Sequence, residues 1–186
     1  MKRSLKNFDP DKIADLDLRM WRAYYDHRFF SLFVLLIRLN HQFFRFSPLS
    51  TVKAAFYSAS AAIDFRLNRG HENMERISRK LTHFFKVVSN NSAEHFDPRK
   101  AAELELNWWL VDRYPDRYQV SRGEALAMAM ANLYDVNPSR LAEFGRYGAE
   151  AMALRDQARS EGKAVDWSGI ESMLKKAFRS LYVNVQ

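Results

Sequence analysis

The segment from residue 98 to residue 113 carries the residues whose types and spacing are best suited to chemistry. It contains two acids, Glu105 and Asp112, and two adjacent tryptophans, Trp108 and Trp109. At about 100° per residue of helix, both acids fall within the same arc as the tryptophans. A carboxyl group in such an apolar setting is either paired with a cation or has a raised pKa.

Two interpretations of this acidic pair stay open. In the functional interpretation, Glu105 and Asp112 face the interior and are available for acid–base catalysis, ligand binding or metal binding. In the structural interpretation, each acid meets an arginine from another helix, and arginine is abundant in this chain.

A polar stripe in the apolar segment 28–46 supplies the expected partners of these acids. Its cationic members recur at spacings of three and four residues, which places them on one face of a helix. If this segment lies at the centre of the fold, the stripe forms a polar seam or a ligand cavity with the two acids. The alternative is that the stripe faces solvent. The candidate binding residues are therefore Arg38, His41, Arg45, Glu105, Trp108, Trp109 and Asp112.

Several classes of site are excluded by the residues that the chain lacks. It has no cysteine, which rules out disulfides, thiolate metal sites and a cysteine nucleophile. No Glu-x-x-His motif of the kind found in helical di-iron proteins occurs, and no glycine-rich phosphate loop, zinc motif or nucleophile elbow. The sequence indicates no cofactor and no metal, although a looser carboxylate-rich metal site stays an alternative. Whether the protein is an enzyme stays open.

The positive charge is concentrated in the first half of the chain. The net charge is +7; residues 1–100 hold 18 Lys/Arg and 10 Asp/Glu, whereas residues 101–186 hold 11 and 12. Twelve of the 14 phenylalanines also precede residue 97. Phenylalanine beside arginine suits an apolar ligand with an anionic head, or peripheral contact with an anionic membrane. The alternative is that the basic half docks on acidic protein surface and that the phenylalanines fill a core.

Helix boundaries are marked by recognisable caps. Asp9, Asp97 and Asn137 each precede a proline, which combines a side-chain cap with a residue favoured at the first helical position. Ser121 and Glu124 form the pattern of a capping box. These marks predict helices near residues 10–27, 28–46, 49–68, 71–89, 98–113, 122–134, 138–160 and 167–182, of which the first two could form one long helix.

The fold class predicted from this pattern is all-α. We expect a single-domain bundle of seven to eight helices with mostly antiparallel up-and-down connections and no sheet, with 28–46 and 98–113 at its centre. Gly145 and Gly148 predict either close packing or a kink in the helix that contains them. Residues 1–8 are expected to form a flexible basic N-terminus.

The leading functional hypothesis is a non-catalytic helical binding or interaction module. A protein partner or a second copy of the chain is the first expectation for what it binds, followed by an apolar ligand with an anionic head. The alternatives are a helical enzyme that uses buried carboxylates and, ranked last, a nucleic-acid-binding protein. The most apolar run, Phe29 to Ile37, covers about 14 Å as a helix and is too short to span a membrane. A cytoplasmic location is expected.

Overall fold

Residues 2–186 are described by the computed structural model, and they form eight α-helices and two short 3₁₀ helices. Within this range there is no β-sheet, and Arg3 and Ser92 form an isolated bridge. The prediction of an all-α, single-domain helical bundle is confirmed. The helices are α1 (Pro10–Tyr25), α2 (Phe29–Phe44), α3 (Pro48–Leu67), α4 (Met74–Asn91), α5 (Pro98–Arg113), α6 (Arg122–Tyr134), α7 (Ala142–Ser160) and α8 (Trp167–Val185), and the 3₁₀ helices are Pro115–Arg117 and Pro138–Leu141.

Asp9, Asp97 and Ser121 cap helices as predicted, whereas Asn137 caps the 3₁₀ helix Pro138–Leu141 and α7 begins only at Ala142. Asp9 accepts hydrogen bonds from the backbone N–H groups of Asp11 and Lys12 at 3.1 and 3.2 Å. At the start of α6, the Glu124 N–H donates to the Ser121 hydroxyl at 3.2 Å, and the Ser121 N–H donates to the Glu124 carboxylate at 2.8 Å. Each cap satisfies N–H groups that the first helical turn leaves without partners.

A left-handed residue separates α1 from α2. His27 has a φ of 57°, a conformation that ends a helix because its successor cannot continue the same hydrogen-bond pattern. The two segments are therefore distinct helices, and the long continuous helix that the sequence left open does not form.

The eight helices form a closed ring. Each helix packs against the helices before and after it in the chain, and α8 packs against α1. No helix within residues 2–186 occupies the centre, so the expectation that 28–46 and 98–113 lie there was wrong. Although segment 28–46 is apolar on nearly all sides, α2 buries one face and leaves Phe30 exposed on another. Among the described residues, no helix is long and apolar enough to cross a membrane.

Polar and aromatic contacts close the ring between its first and last helices. Arg179 of α8 donates two hydrogen bonds to the carboxylate of Asp11 on α1, at 2.7 and 2.9 Å. Phe8, which precedes α1, packs edge-on against Tyr182 with ring centroids 5.4 Å apart. The two ends of the chain are thereby joined in space.

The expectation of a flexible N-terminus needs correction for residues 3–8, whereas Met1 lies outside the described residues. Arg3 pairs through its backbone with the region that follows α4, and its carbonyl accepts from the Ala93 N–H at 2.9 Å. Leu5 and Phe8 are buried in the main core. The carbonyl of Leu5 also accepts a hydrogen bond from the hydroxyl of Tyr134 at 3.2 Å. Burial of these two apolar side chains holds the segment against the bundle, although the segment also carries basic residues.

Glycines allow α6 and α7 to approach closely. A Cβ added at Gly145 would overlap the carbonyl of Gly123, whereas a Cβ at Gly148 would overlap the end of the Leu126 side chain. Gly145 is buried inside a continuous α7. The close-packing interpretation of these glycines is therefore the right one.

Replacing Gly145 by alanine should destabilise the protein more than replacing Gly148. Both substitutions gain about 1 kcal/mol of helix propensity, but the first forces two backbones apart whereas the second displaces only the flexible end of Leu126. We expect the free energy of unfolding of Gly145→Ala to fall by about 2 kcal/mol, measured by urea denaturation. An equal or smaller loss than in Gly148→Ala would contradict the close backbone contact.

Candidate functional site in the central cavity

The ring of helices surrounds a cavity of about 300 Å³. All eight helices contribute residues to its wall, and most of these side chains are aliphatic or aromatic. This volume lies at the lower end of the range found for small-molecule sites, which combine an apolar wall with a few polar groups. The cavity is therefore the first candidate for a binding site.

The cavity face of α1 combines apolar side chains with one acid. Ile13, Asp17, Trp21 and Tyr24 all line the cavity, and their spacings of four, four and three residues place them on one side of a helix. Asp17 thus belongs to the same face as the residues that bury α1 in the ring.

The cavity face of α5 holds four of the candidate residues. Glu105, Trp108, Trp109 and Asp112 all line the cavity. Trp108 and Trp109 stand edge to face, with ring centroids 6.4 Å apart. The structure therefore brings together the part of the predicted candidate set that lies on α5.

Glu105 is held by a neighbour on its own helix. Its carboxylate accepts a hydrogen bond from the indole N–H of Trp109 at 3.0 Å. Burial raises the pKa of Glu105 to about 7, although hydrogen bonds from the tryptophans Trp108 and Trp109 act in the opposite direction. The group therefore takes up a proton at a higher pH than an exposed glutamate does.

Asp17 faces the cavity without a partner. Its side chain is half-buried, and within residues 2–186 neither a hydrogen bond nor a cation acts on its carboxyl group. Burial and, to a smaller extent, the negative charge of Glu105 raise the pKa of Asp17 to about 7. Two carboxyl groups that interact in this way titrate as a pair and exchange protons near neutral pH.

Asp112 differs from these two acids in its contacts, because it belongs to a network of charges. Arg155 of α7, only 5% exposed, lies 3.2 Å from the Asp112 carboxylate and donates to Asp156 at 2.8 Å. Arg155 also donates to the hydroxyl of Tyr25 on α1. Arg122 of α6 donates to the Asp112 carbonyl at 3.1 Å and pairs with Asp156 at 2.8 Å. For Asp112, the structural interpretation of the sequence analysis therefore holds.

The three basic candidates of segment 28–46 lie elsewhere. Arg38, His41 and Arg45 are exposed and do not line the cavity. The solvent-facing alternative for this stripe is the observed one, and the polar seam with Glu105 and Asp112 does not form. The physical reason is that α2 is one wall of a ring, so its second face meets solvent and not another helix.

Sequence reasoning missed Asp17, Tyr25 and Arg155. A signal was present for Asp17, because it stands four residues after Ile13 and four before Trp21, on the apolar face of α1. No comparable signal marks Arg155, since the chain holds many arginines on helices and only the packing of α7 against α5 selects this one.

A second concavity lies on the surface between α4 and α5 and has a volume of about 330 Å³. Its cations are accompanied by the acids Glu75 and Glu103, so its charges largely cancel. Within residues 2–186 no three histidine or acidic side chains converge closely enough to hold a metal ion. The central cavity with Asp17 and Glu105 remains the candidate site.

Stability should fall as the pH rises through the range in which the cavity acids ionise. The pKa values of Asp17 and Glu105 are raised from 3.8 and 4.5 to about 7. The unfolded chain therefore releases these protons first, and the folded state binds more protons between pH 4.5 and pH 7. We expect the free energy of unfolding to decrease across this window and Asp17→Asn to exceed the wild type by about 2 kcal/mol at pH 8, measured by denaturation at several pH values.

Asp15→Asn is the matched control, because Asp15 lies on the same helix with an exposed side chain. It should leave the pH dependence as in the wild type. Glu72 does not disturb this window. Burial acts to raise the pKa of Glu72, but hydrogen bonds from Arg113 outweigh it and lower the pKa to about 2. The stability that Glu72 contributes is therefore lost only below pH 4.5. A wild type that gains stability between pH 5 and pH 7 would contradict the buried location of the cavity acids.

Removing Arg155 should destabilise the protein strongly. Arg155→Met leaves Asp112 and Asp156 with fewer cationic partners at the cavity wall, and breaking a buried pair on one side costs about 3 kcal/mol. Arg146→Met is the control, since Arg146 lies on the same helix but its ion pair with Glu150 is exposed. Chemical denaturation would refute the role of the network if both variants lost the same stability.

Comparisons with protein-family models, with curated proteins and with solved structures found no match.

Proposed function

We propose that this protein is a non-catalytic binding protein that holds a small apolar ligand with a cationic or hydrogen-bond-donating head in its central cavity. The observation that carries the proposal is the unpartnered carboxyl group of Asp17, which faces an apolar cavity beside Glu105. A buried polar group without a partner costs stability, so a ligand that supplies the partner gains that free energy on binding.

The chemistry of the cavity favours a cation over the anionic head expected from composition. Arg155 is the arginine in the cavity wall, and its guanidinium is already engaged by Asp112, Asp156 and Tyr25. The acids Asp17 and Glu105 would repel a carboxylate or a phosphate. An ammonium group would instead lower both pKa values and form charge-assisted hydrogen bonds.

Aromatic rings in the cavity add to this preference. Trp21 and Tyr24 of α1 and Trp108 and Trp109 of α5 line the cavity with the two acids. The faces of such rings attract cations and also pack well against apolar chains. Carboxyl groups flanked by aromatic rings therefore suit the head of an amphiphilic amine, and the aliphatic wall suits its tail.

Amines and carboxylates of equal chain length test the proposal directly. Decylamine, decanol and decanoate differ only in the head group, and tryptophan fluorescence reports binding because Trp21, Trp108 and Trp109 line the cavity. We expect decylamine to bind most tightly and decanoate least. Asp17→Asn should weaken decylamine binding by about 10-fold to 100-fold, since it removes a charge-assisted hydrogen bond.

Asp15→Asn provides the control, because its side chain is exposed on the same helix and should leave decylamine affinity unchanged. The proposal fails if decanoate binds as tightly as decylamine, or if none of the three compounds alters the fluorescence. Equal binding by wild type and Asp17→Asn would also exclude the acid as the recognition group.

One observation supports a second candidate function, acid–base catalysis. Carboxyl groups with pKa values near 7, such as those of Asp17 and Glu105, are suited to deliver a proton at neutral pH. Mass spectrometry of molecules that copurify with the protein separates the candidates. Catalysis predicts different molecules on the wild type and on Glu105→Gln, whereas binding predicts the same molecule in different amounts.

A further inference from the structure

An exposed apolar stripe runs along the outside of α3. Leu49, Val52, Phe56 and Leu67 are exposed, with Leu49, Phe56 and Leu67 at 67%, 57% and 58%. At about 100° per residue these four side chains fall within about 60° of one another. The stripe is about 27 Å long, and its helix buries the opposite face among the other helices. Scattered apolar residues on a surface need no explanation, but an aligned row of this kind indicates a contact surface.

The start of α2 extends this stripe. Phe30 is the most exposed large apolar residue of the described chain, at 82%. The helices α2 and α3 are neighbours joined by a short turn, so the start of α2 lies beside the end of α3. A contact of 3.0 Å between His27 and Arg66 joins these two ends. Phe30 is therefore placed at the Leu67 end of the stripe.

The same surface is positively charged. Residues 28–70 contain six Lys/Arg and one acid. That acid, Asp64, is already paired with Lys80 at 2.6 Å and with Arg76 at 2.9 Å. Residues 28–90 hold ten Lys/Arg and three Asp/Glu, a net charge of +7 that equals that of the whole chain. The remaining parts of the chain are neutral in sum, so the excess positive charge lies in the segment that forms α2, α3 and α4.

We infer that the outer face of α2 and α3 docks on an anionic lipid surface. Exposed phenylalanine and leucine side chains enter the boundary between head groups and acyl chains, and the surrounding lysine and arginine side chains meet the anionic head groups. Lys53 lies on the same face of α3 as Leu49 and Phe56 and is exposed. A second copy of the chain fits this face poorly, because two copies would bring surfaces of like charge together.

Sedimentation of the full-length protein with lipid vesicles tests the inference. We expect binding to phosphatidylcholine vesicles that contain about 30% phosphatidylserine, at least about tenfold weaker binding to phosphatidylcholine alone, and loss of binding as salt rises. The double variant Phe30→Ser/Phe56→Ser should weaken binding to the anionic vesicles at least about tenfold. Lys53→Glu should weaken it by about tenfold as well, since it reverses one charge on the face.

Matched controls lie on other parts of the ring. Met128→Ser on α6 changes an exposed apolar residue, and Lys163→Glu between α7 and α8 changes an exposed lysine. Both variants should leave binding unchanged. Circular dichroism would establish that every variant keeps the helical fold. Absence of binding to anionic vesicles, equal binding to neutral vesicles, or equal losses in the control variants would overturn the inference.

Two further outcomes would assign the face to another occupant and thereby overturn the inference. Salt-sensitive binding of polyglutamate or DNA that is unaffected by Phe30→Ser/Phe56→Ser, without binding to vesicles, would point to an acidic macromolecule. A dimer in sedimentation velocity that the same double variant dissociates would point to a second copy. Both readouts are independent of amine binding in the cavity, so this inference and the proposed function can fail separately.

Discussion

Closure of the helical ring between α1 and α8 is the constraint on which the rest of the structure depends. Arg179 and Asp11 join the two helices at the surface, and Phe8 packs against Tyr182 beside them. Eight helices arranged around a ring enclose an interior that no helix occupies, so side chains alone must fill it. They do not fill it completely, and a cavity of about 300 Å³ remains.

The three acids at this cavity differ in whether a cation lies beside the carboxyl group. Asp112 lies at the wall with Arg155 and Arg122 beside it, so it contributes to a structural network. Asp17 and Glu105 lie at the same cavity without a cation, and burial raises the pKa of each to about 7. Retaining two such groups costs stability at neutral pH, and costs of this kind are typical of sites at which the missing partner is a ligand.

The outside of the ring follows from the same architecture. Each helix of a ring has one inner face, two flanks and one outer face, and the outer face need not be polar if it meets another surface. On α3 that face carries Leu49, Phe56 and Leu67 among cations, while α2 beside it exposes Phe30. The proposed amine site and the proposed lipid-binding face therefore lie on the same small bundle, with separate residues for each.

The sequence predicts the eight helices and several of their starts, because caps such as Asp9 and Ser121 and the apolar periodicity act locally. It also indicated that Glu105, Trp108 and Trp109 share one helix face, since that follows from spacing alone. Tertiary structure alone decided which faces meet. Ring closure decides three placements: Arg38, His41 and Arg45 face solvent, Arg155 pairs with Asp112, and Asp17 lines the cavity without a cationic partner. Such contacts join residues far apart in the chain, and local spacing carries no information about them.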